Sequence, residues 1–237
     1  MIQFYATDIE KDSFLPEEES SHCCRVLRMK EGDMIRVTNG QGSIYNCRIL
    51  KADPRHTKLE IIEKESLPSP SPRLTIAVAP TKNIDRIEWF LEKAEEIGVS
   101  KIVLLKCTRS ERKNLRIDRL RRILISAMNQ SLSAFLPQLQ DFTDFKEFVK
   151  SEDSETGKFF GYCSADFPKK EFVKEYKPGE NVTVMIGPEG DFTQEEVSLA
   201  IDRGFFPVTF GEKRLRTETA ALYAVCSVQV INRLHQP

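Results

Sequence analysis

The stretch VTVMIGPEGDFTQEEV, residues 182–197, decides how the chain is read. A short apolar run with two β-branched valines ends abruptly at Gly187-Pro188-Glu189-Gly190, and a helix start follows at once. A continuous apolar run of this length fits a strand buried on both faces, as in a parallel sheet. Gly187 allows a sharp turn and a close approach by a ligand. Pro188 fixes one dihedral, and Gly190 is expected to supply a second unusual one. Thr193 and Glu196 have the T-x-x-E spacing of a capping box. In open α/β sheets, ligands bind beyond the carboxyl ends of the strands. The turn therefore reads as half of a pocket, or, more plainly, as a well-formed strand-to-helix connection.

A second segment repeats the design. VTFGEKRLRTETAAL, residues 208–222, runs strand, Gly211, charged loop, helix. Glu218 in the first helical turn suits the helix dipole, whereas Arg216 at the same end is mildly unfavourable there. Neither turn has the G-x-x-x-x-G-K-[ST] or G-x-G-x-x-G phosphate pattern. A nucleoside-like ligand gripped by backbone groups fits better.

Around these turns the chain reads as two domains. Residues 34–39 and 43–50 flank Gly-Gln-Gly, a hairpin signal, and 57–64 is a further strand. Several short strands with tight turns suggest a small barrel over residues 1–68. SLPSPSPR, residues 66–73, is a stiff connector with three prolines and three serines. Over 73–237, strands at 73–80, 101–107, 158–163, 181–186 and 206–210 alternate with helices at 83–98, 116–132 and 217–234. That alternation predicts α/β architecture with a mostly parallel sheet. The last helix is apolar nearly all round from Ala220 to Val228, so more than one of its sides is expected to be covered. Lys93 and Glu96 are expected to form a surface ion pair.

The 237 residues carry a formal net charge of −1, so no global basic field draws the chain to nucleic acid. Local basic groups remain. Residues 109–122 hold seven Arg or Lys against two acids. Such a run is a solvated helix face or a phosphate-binding patch. Arg25, Arg28 and Lys30 lie near His22, and Lys82 and Arg86 follow the first strand of the second domain. Six cysteines form no C-x-x-C pair, and three histidines complete no zinc pattern, so no metal site is expected. The N-terminus lacks a signal-peptide pattern, which with the free thiols predicts a cytoplasmic protein.

IGPEGDFTQEEV together with FGEKRLRTETAAL resembles the RsmE-type ribosomal RNA methyltransferases of the SPOUT superfamily. HCCRVLRMKEGD (22–33), EKAEEIGVSKIVLLKCTRSER (92–112) and NQS (129–131) resemble further motifs of that family in the same order. The resemblance spans nearly the whole chain. It implies S-adenosylmethionine as methyl donor and N3 of one uridine of 16S ribosomal RNA as acceptor. It also implies a PUA-like barrel that binds RNA, a SPOUT domain with a C-terminal trefoil knot, and a homodimer through the knot region and the last helix.

Carried over, the cofactor-binding set is Ile186, Gly187, Pro188, Glu189, Gly190, Phe210, Gly211, Leu215 and Arg216. Arg216, Glu218 and Glu189 are the catalytic candidates, and a purely loop-fixing role is the alternative for both glutamates. His22, Arg25, Arg28, Lys30, Lys82, Arg109, Arg112 and Arg116 are the RNA-binding candidates. The chain departs from the family at Asp191, where glycine is frequent, at Asn129 in the E-Q-S segment, and at Ser133 and Ala134, where an arginine is often found. The rival readings are another SPOUT enzyme acting on a ribose hydroxyl or a tRNA base, a non-catalytic ribosome-assembly factor, and a small-molecule nucleotide enzyme.

Overall fold

The structure, a computed structural model, describes residues 2–112, 114–152, 156–164 and 166–235. It divides into two compact units: Met1–Ser69 with Leu124–Leu136, and Pro70–Ile123 with Pro137–Pro237.

In the first unit a four-stranded sheet runs in the order β1 (Gln3–Tyr5), β2 (Met34–Thr38), β3 (Ser43–Lys51), β4 (Lys58–Ser66). The predicted hairpin is β2–β3, antiparallel, with Thr38 opposite Ile44. β1 pairs parallel with β2. Between β1 and β2 lie two short helices, α1 (Ile9–Asp12) and α2 (Glu17–Ser21), and a π-turn at His22–Val26. Inward residues Phe4, Ile35, Val37, Tyr45, Cys47, Ile49 and Leu59 form the core.

Leu124–Leu136 joins this unit through main-chain acceptors. Gln3 Nε2 donates to the carbonyls of Met128 (3.2 Å) and Ser133 (2.7 Å), Thr38 Oγ1 to Ala134 (3.2 Å), and Gly42 N to Ala134 (2.9 Å). Such contacts are invisible to hydrophobic periodicity, because they involve backbone atoms of any residue type.

Asn129, one of the departures noted above, donates from Nδ2 to Glu19 Oε1 at 3.2 Å. Burial pushes the Glu19 carboxyl up to about 7, against the lowering effect of that hydrogen bond. The folded chain therefore binds the proton more tightly than the unfolded chain, so stability falls as pH rises from about 4.5 to about 7. Glu19→Gln removes this loss. Urea unfolding is expected to show the variant more stable at pH 8 by up to about 3 kcal/mol and no different at pH 4. Equal stability at pH 8 overturns this reading.

The second unit holds a seven-stranded parallel sheet. Its order is β7 (Gln138–Asp144), β6 (Lys101–Lys106), β5 (Leu74–Val78), β10 (Val182–Ile186), β8 (Gly157–Gly161), β11 (Phe206–Thr209), β9 (Lys170–Glu171). The five strands expected from apolar runs are all present. β7 and β9 were not expected: β7 is polar and half-buried, QLQDFTD, and β9 has two residues. As edge strands they need no second buried face, so they lack the apolar signal.

Helices α3 (Ile84–Ile97), α4 (Ile117–Ser131), α5 (Phe145–Ser151), α6 (Phe172–Glu175), α7 (Gln194–Asp202) and α8 (Thr217–Leu234) connect the strands. Asn83 caps α3 by accepting from Asp85 N at 3.0 Å, and Gly98 ends it in the left-handed region at φ 116°. Lys93 Nζ pairs with Glu96 Oε1 at 2.9 Å, as its spacing predicts. α8 packs on α3 and against β5 and β10, which buries Ala221, Ala224, Val225 and Val228. Tyr223 and Val230 on the same helix stay exposed.

Candidate functional site

β5, β10, β8 and β11 are parallel neighbours, so their carboxyl ends lie on one side of the sheet. Three of these ends, after β8, β10 and β11, surround a cavity of about 920 Å3. Its lining includes Ile186, Gly187, Pro188 and Glu189 from the first glycine turn and Phe210, Gly211, Leu215, Arg216 and Glu218 from the second. Two turns separated by more than twenty residues in sequence thus form one pocket. Gly190 is the exception in the predicted set, since it does not line the cavity.

The glycines work differently from expectation. Neither Gly187 nor Gly190 is left-handed; that conformation falls on Asp191, at φ 62°. Aspartate tolerates it better than most residues because its short polar side chain bonds locally. Asp191 Oδ1 indeed accepts from Phe192 N at 2.9 Å. The left-handed backbone also gives a steric reason for the glycine often found here in the resembling family.

Gly187 and Gly190 are instead needed for space. A Cβ on Gly187 would lie 3.2 Å from the Phe192 ring, and one on Gly190 3.3 Å from Arg109 Cδ. Gly211 does use the left-handed region, at φ 111°.

The first turn is held from several sides. Arg109 Nη1 donates to Gly190 O at 2.7 Å and Phe192 O at 3.4 Å. Lys82 N donates to Glu189 Oε1 at 3.0 Å, Arg214 Nη2 to Glu189 O at 3.4 Å, and Thr217 Oγ1 to Gly187 O at 3.2 Å. The capping box forms as read: Thr193 Oγ1 accepts from Glu196 N and Glu196 Oε2 from Thr193 N. Glu196 also accepts from Thr108 N at 2.8 Å, so the box ties the end of β6 to α7.

Glu218 is buried, 6% exposed. Its Oε2 has no hydrogen-bond partner among the described residues, and its Oε1 lies 3.9 Å from Arg86 Nε. Glu189 and Arg216 are exposed. Arg216 occupies the position just before α8, with no side-chain cap there. The cavity wall therefore combines one buried carboxyl with the guanidiniums of Arg86, Arg214 and Arg216.

Sequence reasoning missed the third wall, Gly161–Ser164. Its signal was the glycine inside KFFGYC. A Cβ on Gly161 would stand 2.6 Å from the Phe210 ring, so only glycine lets Phe210 reach its place.

The RNA-binding candidates separate. His22, Arg25, Arg28 and Lys30 belong to the first unit and are exposed, with the His22 ring edge-on to Phe4 at 6.3 Å. Lys82, Arg109, Arg112 and Arg116 belong to the second. Arg109 is spent on the glycine turn. Arg112 Nε donates to Thr81 O at 3.0 Å and its Nη2 to Lys82 O, so this guanidinium braces a loop. Lys82 Nζ pairs with Glu111 at 3.4 Å, and Arg119 with Glu88 at 2.7 Å. Arg116 is exposed ahead of α4. The basic run 109–122 is thus partly structural scaffolding, which its composition could not reveal. Lys113 within it lies outside the described residues. No cluster of metal-ligating side chains occurs among the described residues, and no helix there is long and apolar enough to cross a membrane.

Comparison with known proteins agrees with this geometry. The model of an RNA methyltransferase domain matches residues 68–229, and that of an RNA methyltransferase PUA domain matches residues 15–62. A probable rRNA-methyltransferase from Porphyromonas gingivalis is 38% identical and superposes with a TM-score of 0.93 over 100% of both chains. The ribosomal RNA small subunit methyltransferase E of Neisseria gonorrhoeae, solved bound to S-adenosyl methionine, is 25% identical with a TM-score of 0.83 over 98% of each chain. The protein of the same name from Synechocystis is 28% identical over 231 residues, 94% of this chain and 74% of its own. A parallel sheet with glycine turns at its carboxyl edge, preceded by a small β unit, and matched from end to end by such relatives, places the chain in the family of RsmE-type RNA methyltransferases.

Proposed function

We propose that the protein methylates N3 of a specific uridine in 16S ribosomal RNA, with S-adenosylmethionine as donor. The observation that carries this reading is the cavity built by three backbone turns at adjacent strand ends. Its lining suits the donor chemically. Ile186, Phe210 and Leu215 offer apolar contact to an adenine, and the main chain exposed at 211–214 offers hydrogen bonds. A side chain at Gly187 would press on the Phe192 ring, so glycine lets the turn keep its place beside the cavity. Gly187, Pro188, Glu189, Gly211, Leu215 and Arg216 would hold the cofactor, with Gly190 acting through the Arg109 contact.

When bound, S-adenosylmethionine supplies an electrophilic methyl group. The chain's own task is to make uridine N3 a nucleophile by removing its proton. Glu218, buried at the cavity wall, is the proposed proton acceptor, with Glu189 as an orienting group. Arg216 is placed to stabilise negative charge on the uracil oxygens. Cytoplasmic location, a trefoil knot in the second unit and a homodimer through α8 belong to the same reading; the exposed Tyr223 and Val230 support the last.

Titration calorimetry with S-adenosylmethionine and S-adenosylhomocysteine tests the cofactor, followed by methyl transfer to 16S RNA and to assembled small subunits, with mass spectrometry of the nucleosides. Binding and N3-methyluridine are expected. Methylation at a ribose hydroxyl would overturn the acceptor, and binding of neither compound would overturn the class.

Arg25, Arg28 and Lys30 are exposed cations of the PUA unit and the proposed phosphate contacts. Replacing all three by alanine is expected to reduce the slope of log K against log salt by about 2 to 3 in filter binding. An unchanged slope removes them from the RNA contact.

A further inference from the structure

The third wall of the cavity is gripped by two residues outside the proposed site set. Lys169 Nζ donates to the carbonyls of Tyr162 (3.1 Å), Cys163 (2.7 Å) and Ser164 (2.7 Å). It also lies 5.9 Å from the centroid of the Tyr162 ring. An ammonium has three protons, and here all three have acceptors. Such charge-assisted bonds are stronger than neutral ones. Lys169 lines the cavity yet has no proton left for a ligand, so it acts through the loop.

On the other side, Asp191 Oδ2 accepts from Cys163 N at 3.0 Å. The carbonyl and N–H of a trans peptide point in opposite directions. The single peptide linking Tyr162 to Cys163 is therefore held at its oxygen by Lys169 and at its nitrogen by Asp191. Asp191 is itself fixed, because its N donates to Pro188 O at 2.9 Å and its Oδ1 accepts from Phe192 N. The clamp thus joins the third wall to the first glycine turn.

We propose that Lys169 and Asp191 are positioning residues for the methyl donor: they pre-set the wall Gly161–Ser164 so that binding need not order it. The proposal rests on the S-adenosylmethionine reading above. It differs from a merely structural role in what it predicts for the Cys163 amide, whose N–H donates to Asp191 at the cavity wall. A loosened wall frees that N–H to exchange with solvent more often.

The test uses the full chain and the variants Lys169→Met and Asp191→Ala. Three quantities are read: S-adenosylhomocysteine affinity by calorimetry, the hydrogen–deuterium exchange rate of the peptide containing Cys163 followed by mass, and the thermal midpoint. Lys169→Met is expected to weaken binding about tenfold, the scale of ordering one or two side chains on association. It should raise hydrogen exchange at Cys163 severalfold and leave the ligand-free thermal midpoint nearly unchanged. Asp191→Ala should move affinity and exchange in the same directions. Asp191→Asn keeps an acceptor oxygen and the left-handed tolerance, so it is expected to restore both.

Wild-type affinity and wild-type exchange at Cys163 in Lys169→Met and Asp191→Ala would overturn the clamp. In Lys169→Met, a loss of thermal stability matching the loss of affinity would also overturn it, in favour of general structural support. Should Lys169→Met fail to fold, Asp191→Ala against Asp191→Asn decides. Absence of binding by the wild-type chain would strike the cofactor reading instead, and the exchange rates would still report on the clamp.

Discussion

Gly187→Val abolishes S-adenosylhomocysteine binding in titration calorimetry and leaves the chain folded: that is the largest effect expected. Gly187 is buried at the end of β10. A Cβ there would meet Phe192 Cδ2 and Cε2 at 3.2 Å and Cζ at 3.4 Å. The ring has little room to yield, because Phe192 is 2% exposed and packs against Phe145 and Phe160 at 5.4 and 6.0 Å between centroids. Gly187 O is at the same time held by Thr217 Oγ1. Overpacking of this kind costs about 1–3 kcal/mol. Strain therefore moves the turn into the cavity rather than the ring out of the core, and the room for the ligand closes. Gly187→Ala should be intermediate. Unchanged affinity in the valine variant would mean that the ligand site lies elsewhere.

The second large effect is expected from Glu218→Gln. The substitution keeps shape and volume and removes the ability to take a proton. If Glu218 receives the N3 proton, the single-turnover methylation rate should fall about 10^2- to 10^4-fold, the usual range for general-base loss. S-adenosylhomocysteine affinity should stay within about threefold, since the product cofactor does not need that proton acceptor. The burial of Glu218 and its long 3.9 Å contact to Arg86 leave the carboxyl under-satisfied among the described residues. An under-satisfied buried polar group carries a free-energy cost that a purely structural residue would have no reason to retain. A rate within about threefold of wild type, with normal affinity, would reduce Glu218 to an anchor for the start of α8.

By itself the sequence determined the α/β class, the five buried strands, helices α3 and α8 and the capping box of α7. These follow from local periodicity and from residue types with one strong conformational preference. It also determined that Gly187 and Gly211 sit at strand ends, because apolar runs stop there. Only the tertiary structure decided why each glycine is needed: Gly187 for the Phe192 ring, Gly161 for the Phe210 ring, and the left-handed position moved to Asp191. These are clashes and dihedrals created by distant neighbours, which no local window contains. The same holds for Arg109 and Arg112, whose charges suggested phosphate but whose protons go to main-chain oxygens brought near by the fold. It holds too for Lys169, an ordinary lysine in sequence that three carbonyl oxygens make a clamp. Residue type sets what a side chain can donate or accept, while the fold chooses the partner, and that choice here separates a scaffold cation from a free one.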